Sequence, residues 1–409
     1  MTSPMSSSRV SAHGECLVSV VVSGVGVVSA LGGDTASTWR AVLAGESAAR
    51  AWEDLADEGF PLTVACRIDP AAELPPAHGR GAALARRAAA EALGQAGLVD
   101  DEGRLTDDVD TSRVGVFVGT TMGESAEFET ALDRGAFALA DATGPAFARA
   151  IAQAYDITGP LQTLGTACAA GNYAIGAAAR ALAAGRVDIA IAGGVEPFSR
   201  IAMLGFARMR AMAPHGCAPF DVGRRGMTLG EGAAVLVLQR AEDVTPGRSL
   251  AVVGALGLAT DAHHPTAPRD DGRYLQQAMR EGIRRTGIEP GDIGWVSAHG
   301  TGTPLSDAAE ALSLRAVFGT ALGTVPPVSS VKGALGHTMG AATAIEAVLA
   351  VQALRERMLP PNAGMAEVDP ALEVDVVTTA REAPELRWVL NCGFAFGGLN
   401  SALVIGRAP

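Results

Sequence analysis

Between residues 18 and 390 short runs rich in valine and isoleucine alternate with longer runs rich in alanine and leucine, and the alternation occurs twice. Residues 18–28 are β-branched and glycine-spaced, 82–96 have helical alanine and leucine spacing, and 114–119 form another short apolar run. A helix is expected from just after Cys168 to about Ala184, followed by strands at Ile189 and over 233–238. A second series starts near Leu250 with LAVVGALGLATDA, continues through a helix over 274–286, and ends with strands at Trp295 and over 388–390. Strands that alternate with helices specify an α/β fold. Two series of similar content imply two halves pressed together, with a site at their junction, where pockets commonly form. The internal similarity is too weak to be aligned from the sequence alone. The expected division is a disordered segment over 1–15, a first half over 16–255 and a second over 256–409.

A chain of 409 residues that is 48% apolar has ample material for a large core. No uninterrupted apolar run reaches the roughly 18 residues of a membrane span. The opening MTSPMSSSRVSAHGE lacks the cationic and apolar regions of a secretory leader. A soluble, cytoplasmic protein is therefore expected. A net charge of -12 argues against non-specific binding to nucleic acid, while leaving room for a local basic patch that faces an acidic partner. Of the 32 cationic side chains only Lys332 is a lysine. A compact ammonium is not interchangeable with a planar guanidinium, so this one exception marks a position where shape matters.

The five cysteines, Cys16, Cys66, Cys168, Cys217 and Cys392, form no C-x-x-C pair, so their spacing indicates neither a zinc site nor a redox motif. Their odd number argues against a disulfide framework. Most free cysteines are small buried apolar residues. Cys168 stands apart in LGTACAAGNYAIG, between a strand-like run and an alanine-rich helical one. At the start of a helix its sulfur would meet the positive end of the helix dipole, which favours thiolate over thiol. That is the geometry of a nucleophile elbow, with a structural cysteine as the alternative.

A nucleophilic cysteine calls for imidazoles nearby. His13 and His78 lie in surface-like segments, His215 is in a loop, and His263 and His264 suit structural hydrogen bonds. His299 in SAHGTGTPLSDAAE and His337 in SSVKGALGHTMGAA are different: each follows a β-type segment and is surrounded by glycine and small polar residues. One thiolate and two imidazoles suit carbon-carbon bond formation on thioesters. The acyl group rests on the thiolate, and two N–H donors stabilise the enolate of a second thioester as it forms. Lys332 would bias this region electrostatically without touching the reacting atoms. Thr301 and Thr303 offer hydroxyls to the amides of a pantetheine arm.

TACAAG, HGTGTPLSDAAE, VKGALGH and FAFGGLN, in this order, resemble the β-ketoacyl-[acyl-carrier-protein] synthases of fatty-acid and type II polyketide synthesis. The resemblance runs from about Val20 to Ile405 and includes VVVSGVGVVSALG, AGGVE and PFDVGRRGMTLGEGAAVLVL. It implies a thiolase-like fold, a five-layered αβαβα arrangement of two related halves, and usually a dimer. By motif, Cys168 would be the acyl-accepting nucleophile and His299 and His337 the enolate-stabilising pair. Lys332 would be the active-site lysine and Glu310 the acidic residue after the first histidine. The backbone N–H groups of Cys168 and Phe396 would form an oxyanion hole, with Phe396 also the gate. Phe394 would line the substrate channel and Met122 the acyl pocket. No metal or cofactor is implied, because substrates arrive on the phosphopantetheine of acyl carrier protein. Arg210 falls where related synthases place a carrier-docking arginine, and Arg134 is a second candidate.

FAFGGLN departs from the family's usual FGFGGTN: Ala395 replaces a glycine and Leu399 a threonine, which implies a stiffer, more apolar gate. Two alternatives remain. A thiolase or acyltransferase of the same fold would act on coenzyme A esters, with Cys392 as its second cysteine. The chain could also work beside a chain-length subunit, as the catalytic member of a heterodimer, since it keeps the nucleophile that such subunits lack.

Overall fold

The computed structural model describes residues 19–75, 77–133, 146–319, 321 and 323–408. Cys16, Arg134 and the segment 1–15 lie outside the described residues. Ten strands build the main sheet. The first five are β1 (Val20–Ser29), β2 (Val114–Gly119), β3 (Leu161–Leu164), β4 (Ile189–Glu196) and β5 (Gly232–Arg240). The second five are β6 (Ala251–Thr260), β7 (Ile293–Ser297), β8 (Val328–Ser329), β9 (Trp388–Phe394) and β10 (Leu399–Arg407). Six helices matter here: α1 (Arg80–Ala96), α2 (Ala170–Ala183), α3 (Arg200–Arg208), α4 (Arg273–Thr286), α5 (Pro304–Leu314) and α6 (Ala342–Glu356).

The spatial order is β3-β2-β4-β5-β1 in the first half and β8-β7-β9-β10-β6 in the second. Counted within each half, both read third, second, fourth, fifth, first. Strand directions repeat as well: the three neighbours at the outer edge are parallel and the other two pairings antiparallel. The halves meet where Val20, Val21 and Val22 of β1 pair with Val253, Val252 and Ala251 of β6. The duplication that the sequence only hinted at is thus explicit in topology. A division at 255/256 needs correction, because it would cut β6, the opening strand of the second half, which begins at Ala251.

Each half packs in the same way. Every residue of β1 is buried, which is why its sequence reads as a continuous apolar run and not as an alternation. Its glycines admit a helix: a Cβ at Gly26 would lie 2.0 Å from the carbonyl oxygen of Ala88 in α1. The second half repeats the device, since a Cβ at Gly257 in β6 would lie 2.0 Å from the carbonyl oxygen of Ala278 in α4. Thus α1 and α4 form the outer layers. Helices α2 and α6 lie between the halves, each touching strands of both. Residues 342–354 of α6 are all buried, as expected of a helix that is apolar on every side. The result is the expected αβαβα sandwich, in which each fully buried leucine or isoleucine contributes about 1.5–3 kcal/mol.

This architecture positions the site. Cys168 follows β3, His299 follows β7, Lys332 and His337 follow β8, and Phe394 ends β9. All four strands belong to the parallel parts of the sheet, so their carboxyl ends gather at the junction of the halves. No helix among the described residues is long and apolar enough to cross a membrane.

Candidate active site

Cys168 occupies a single 3-10 turn, Ala167–Ala169, that runs directly into α2. Ala167 takes a φ of +48°, a left-handed conformation uncommon for a residue with a side chain. The second half has the same turn at Met339–Ala341, with Met339 at +43°, running into α6. One half therefore supplies Cys168, and the other supplies His337 just ahead of its matching turn. The thiolate expected from the helix start needs correction. Cys168 is only 9% exposed and packs with Ala169 and Ala395 in an apolar box edged by Ala167, Tyr173 and Leu399. Burial pushes its thiol up to about 12, although the Lys332 charge pulls the other way. The resting group is a thiol.

His337 Nε2 lies 3.1 Å from the Cys168 sulfur. Its Nδ1 accepts the N–H of Met339 at 3.1 Å, so in the neutral ring the proton sits on Nε2 and points toward the sulfur. His337 is thus set as a donor and not as the base a nucleophile elbow usually has. The His299 ring meets it edge-on, with centroids 5.5 Å apart and planes at 82°. Burial, reinforced by the Lys332 charge, holds both imidazoles well below their ordinary range and therefore neutral; for His299 the neighbouring ring adds to this. The sulfur and one nitrogen of each ring lie within 4.8 Å of one another. Such a triangle could surround a metal ion, but ligation through His337 Nε2 would require a proton on Nδ1, where the Met339 N–H already points.

Lys332 is 1% exposed, and its ammonium hydrogen-bonds to neither the sulfur nor the imidazole rings. Its Nζ donates to the His299 carbonyl oxygen at 2.6 Å and to Glu346 Oε1 at 2.5 Å. Glu346 was not foreseen. The signal for it was a lone carboxylate in the otherwise apolar run AATAIEAVLA. Glu310, expected among the catalytic groups, braces backbone instead: its two oxygens accept the N–H groups of His299 and Gly300, both at 2.8 Å. Burial raises its carboxyl to about 7. Asp307, also unforeseen, holds the next stretch by accepting from the N–H groups of Thr301, Gly302 and Phe220. On the other side of the turn, Glu196 at the end of β4 accepts from Thr121, Met122 and Gly340. Three buried carboxylates thus fix the loops that carry the reactive side chains.

A cavity of about 390 Å³ leads from Cys168, His299 and His337 to the surface. Thr301 and Thr303 line it with their hydroxyls 2.9 Å apart, and Phe394 lines it with its ring 6.0 Å from that of His299. Phe396 also lines it and packs on Phe206 of α3 with centroids 5.9 Å apart. Its N–H opens the turn Phe396–Gly398, a place where helical geometry supplies no internal acceptor. Ala395 is in extended backbone that alanine adopts without strain, and its methyl packs beside Cys168. Met122 is not on this wall: it packs in the cluster that contains Phe198, Met203 and Met339. Cys392 is fully buried in β9 and does not line the cavity either, which removes the second thiol that the thiolase alternative needs. At the mouth stand Arg210, Arg225, Met209 and Leu305.

Fold and site together define a thiolase-like acyl-transferring enzyme: two α/β halves with a buried cysteine and two neutral imidazoles at their junction. The comparisons narrow that class. Residues 18–244 match the family profile described as Beta-ketoacyl synthase, N-terminal domain, and residues 250–366 match Beta-ketoacyl synthase, C-terminal domain. The chain is 32% identical to 3-oxoacyl-[acyl-carrier-protein] synthase 2 of Coxiella burnetii, covering 95% of this chain and 98% of that one. It is 33% identical to nodulation protein E of Rhizobium meliloti, covering 94% and 98%. Among solved structures it is similar to the ishigamide ketosynthase/chain length factor, with a TM-score of 0.84, 33% identity and coverage of 96% and 100%. A ketosynthase in complex with its chain length factor from Xenorhabdus doucetiae gives a TM-score of 0.81 at 29% identity, covering 95% and 98%. The chain belongs to the β-ketoacyl synthase family.

Proposed function

We propose that the chain is a β-ketoacyl-[acyl-carrier-protein] synthase that carries out a decarboxylative Claisen condensation in fatty-acid or polyketide synthesis. The observation that carries this reading is the pair of neutral imidazoles beside the Cys168 sulfur, with the His337 Nε2–H directed at that sulfur and one nitrogen of His299 within 4.8 Å of both. In the first half-reaction the sulfur attacks an acyl thioester. The backbone N–H groups of Cys168 and Phe396 receive the oxyanion, the carrier's thiolate leaves, and the proton of Cys168 ends on that thiol. In the second, a malonyl-type thioester places its carbonyl oxygen between His299 and His337. The bond to its carboxylate breaks, carbon dioxide leaves, and the electron pair becomes an enolate held by the two N–H donors. The enolate carbon attacks the acyl group on Cys168. The carbon-sulfur bond breaks, its electron pair stays on the cysteine sulfur, and a proton from solvent restores the thiol.

Incubation with acyl carrier protein thioesters, followed by peptide mapping, should place the acyl mass on Cys168. Comparable acylation of Cys392 would favour the thiolase alternative and overturn this reading.

An acidic carrier meets an acidic enzyme only through a local patch of opposite charge. Arg210 and Arg225 are exposed at the mouth beside Met209 and Leu305, which are 48% and 68% exposed. Reversing Arg210 to glutamate should raise the KM for carrier-bound substrates roughly three- to tenfold, with the effect shrinking as salt is added. Turnover of a free pantetheine thioester should hardly change. Equal losses on both substrates would assign Arg210 to the fold. We place the protein in the cytoplasm, as a homodimer or beside a chain-length subunit. β3 ends the sheet and leaves Leu161 41% exposed, an edge that a second subunit would cover.

A further inference from the structure

Arg210 and Arg225 are exposed at the mouth of the cavity, and neither side chain has a hydrogen bond or an ion pair among the described residues. The adjacent Arg224 is different: it is held by the Asp369 carboxylate at 2.6 Å and the Asp221 carbonyl oxygen at 2.8 Å. Backbone brings the two free arginines together. Met212 and Met227 form a parallel bridge, in which the Met227 N–H donates to the Ala211 carbonyl and the Ala213 N–H to the Met227 carbonyl, both at 2.8 Å. Each arginine lies two residues ahead of that bridge, so both leave the same edge of the mouth. A Cβ at Gly226 would lie 2.6 Å from the Ala211 carbonyl oxygen, which shows how closely the two segments approach. The same edge is tied to the threonine loop, since the Gly226 N–H donates to the carbonyl of Gly302, between Thr301 and Thr303, at 2.9 Å.

A third donor lines the cavity from another segment. His264 is exposed, and its Nδ1 accepts the N–H groups of Thr266 and Ala267, both at 3.1 Å, so the neutral ring carries its proton on Nε2. The one acid in the lining, Asp261, accepts the His263 N–H at 3.2 Å. Two guanidiniums against one carboxylate make this mouth locally positive on a chain of net charge -12. Further in, the lining offers a thiol, neutral imidazoles and hydroxyls, so the charged feature this cavity is built to meet lies at its outer end. We propose that Arg210, Arg225 and His264 form a receptor for the phosphate ester at the outer end of the pantetheine arm. This rests on the condensing function above, which brings substrates in on such an arm. A guanidinium meets phosphate oxygens through two parallel N–H bonds, and it stays charged at the surface. A phosphate on this arm is common to acyl carrier protein and to coenzyme A. The receptor therefore reads the arm itself, and the substrate class is an acyl phosphopantetheine, whatever carries it.

The test uses one acetyl amide that cannot react, carried on pantetheine, on phosphopantetheine, on coenzyme A and on acyl carrier protein, each titrated into the full-length protein by calorimetry. The phosphopantetheine form should bind about tenfold more tightly than the pantetheine form, and the coenzyme A form should share that advantage. Arg225→Ala should cut the advantage to about threefold, and Arg225→Ala with Arg210→Ala should remove it. Added salt should shrink it in the unaltered protein. Arg208→Ala, exposed nearby but outside the cavity lining, should leave it within about twofold of the original, which separates a phosphate contact from the general field of the surface. No advantage of either small phosphate-bearing form over pantetheine in the unaltered protein would overturn the proposal. So would a loss on Arg225→Ala confined to the carrier-bound form, because the arginines would then read the acidic surface of the carrier. Failure of the condensing function would look different: the unaltered protein would release no carbon dioxide from malonyl carrier protein, whatever its preference among the arms.

Discussion

Alanine at His337 should slow decarboxylation of a malonyl carrier thioester by about a hundred- to a thousandfold, the loss expected when one donor to a developing oxyanion is removed. Acyl loading of Cys168 should survive, because the ring is set as a donor and does not take the thiol proton in the resting enzyme. Alanine at His299 should give the same separation of half-reactions. The measurement is carbon dioxide release set beside acyl mass on Cys168 for each variant. If His337→Ala abolished loading and spared decarboxylation, the tautomer inferred from the Met339 N–H would be the wrong one. His337 would then be the base for the cysteine.

Lys332→Met should destabilise the protein by about 3–5 kcal/mol, because it leaves the Glu346 carboxylate buried without its partner. The two side chains are 1% and 2% exposed, and their separation is 2.5 Å. A pair this deeply buried is costly to break but is not in itself a large source of stability. The double variant Lys332→Met with Glu346→Leu should therefore recover most of the loss in a denaturant titration, to within about 1 kcal/mol of the original. Condensation should not recover with it. The ammonium also donates to the His299 carbonyl, and its positive charge helps keep both imidazoles neutral. A double variant as unstable as the single one would show that the pair is a main support of the α6 layer. A double variant with full activity would show that the lysine serves the fold alone.

The elements themselves were legible. The strand expected over 18–28 is Val20–Ser29, the helix expected over 82–96 is Arg80–Ala96, and the helix expected to reach Ala184 ends at Ala183. Valine runs and alanine runs carry local signals, and no tertiary contact overrides them here. The duplication was much less legible. What the halves share is strand order, strand direction and the placing of two turns, and these need no shared side chains. TACAAG and TMGAAT occupy matching turns, yet cysteine stands in one where glycine stands in the other.

For the site, residue types and spacing in the sequence were enough to single out Cys168, His299, His337 and Lys332 as a set, because each is an unlikely residue for its surroundings. Several things were decided only by the tertiary structure. The Lys332 charge finds its partner in Glu346 of α6, which comes from the buried layer between the halves. Glu310 turns to backbone and away from chemistry, since the N–H groups of His299 and Gly300 lie within its reach. The cysteine is a thiol at rest because burial by Ala395 and its neighbours outweighs the helix start. The proton of His337 is placed by a backbone N–H two residues further on, through a turn whose left-handed φ no composition reveals. Sequence determines which groups are present and which local segments they sit on. Protonation, orientation and partnership depend on what the folded chain removes from water and brings within hydrogen-bond distance, and those are properties of the whole packed molecule.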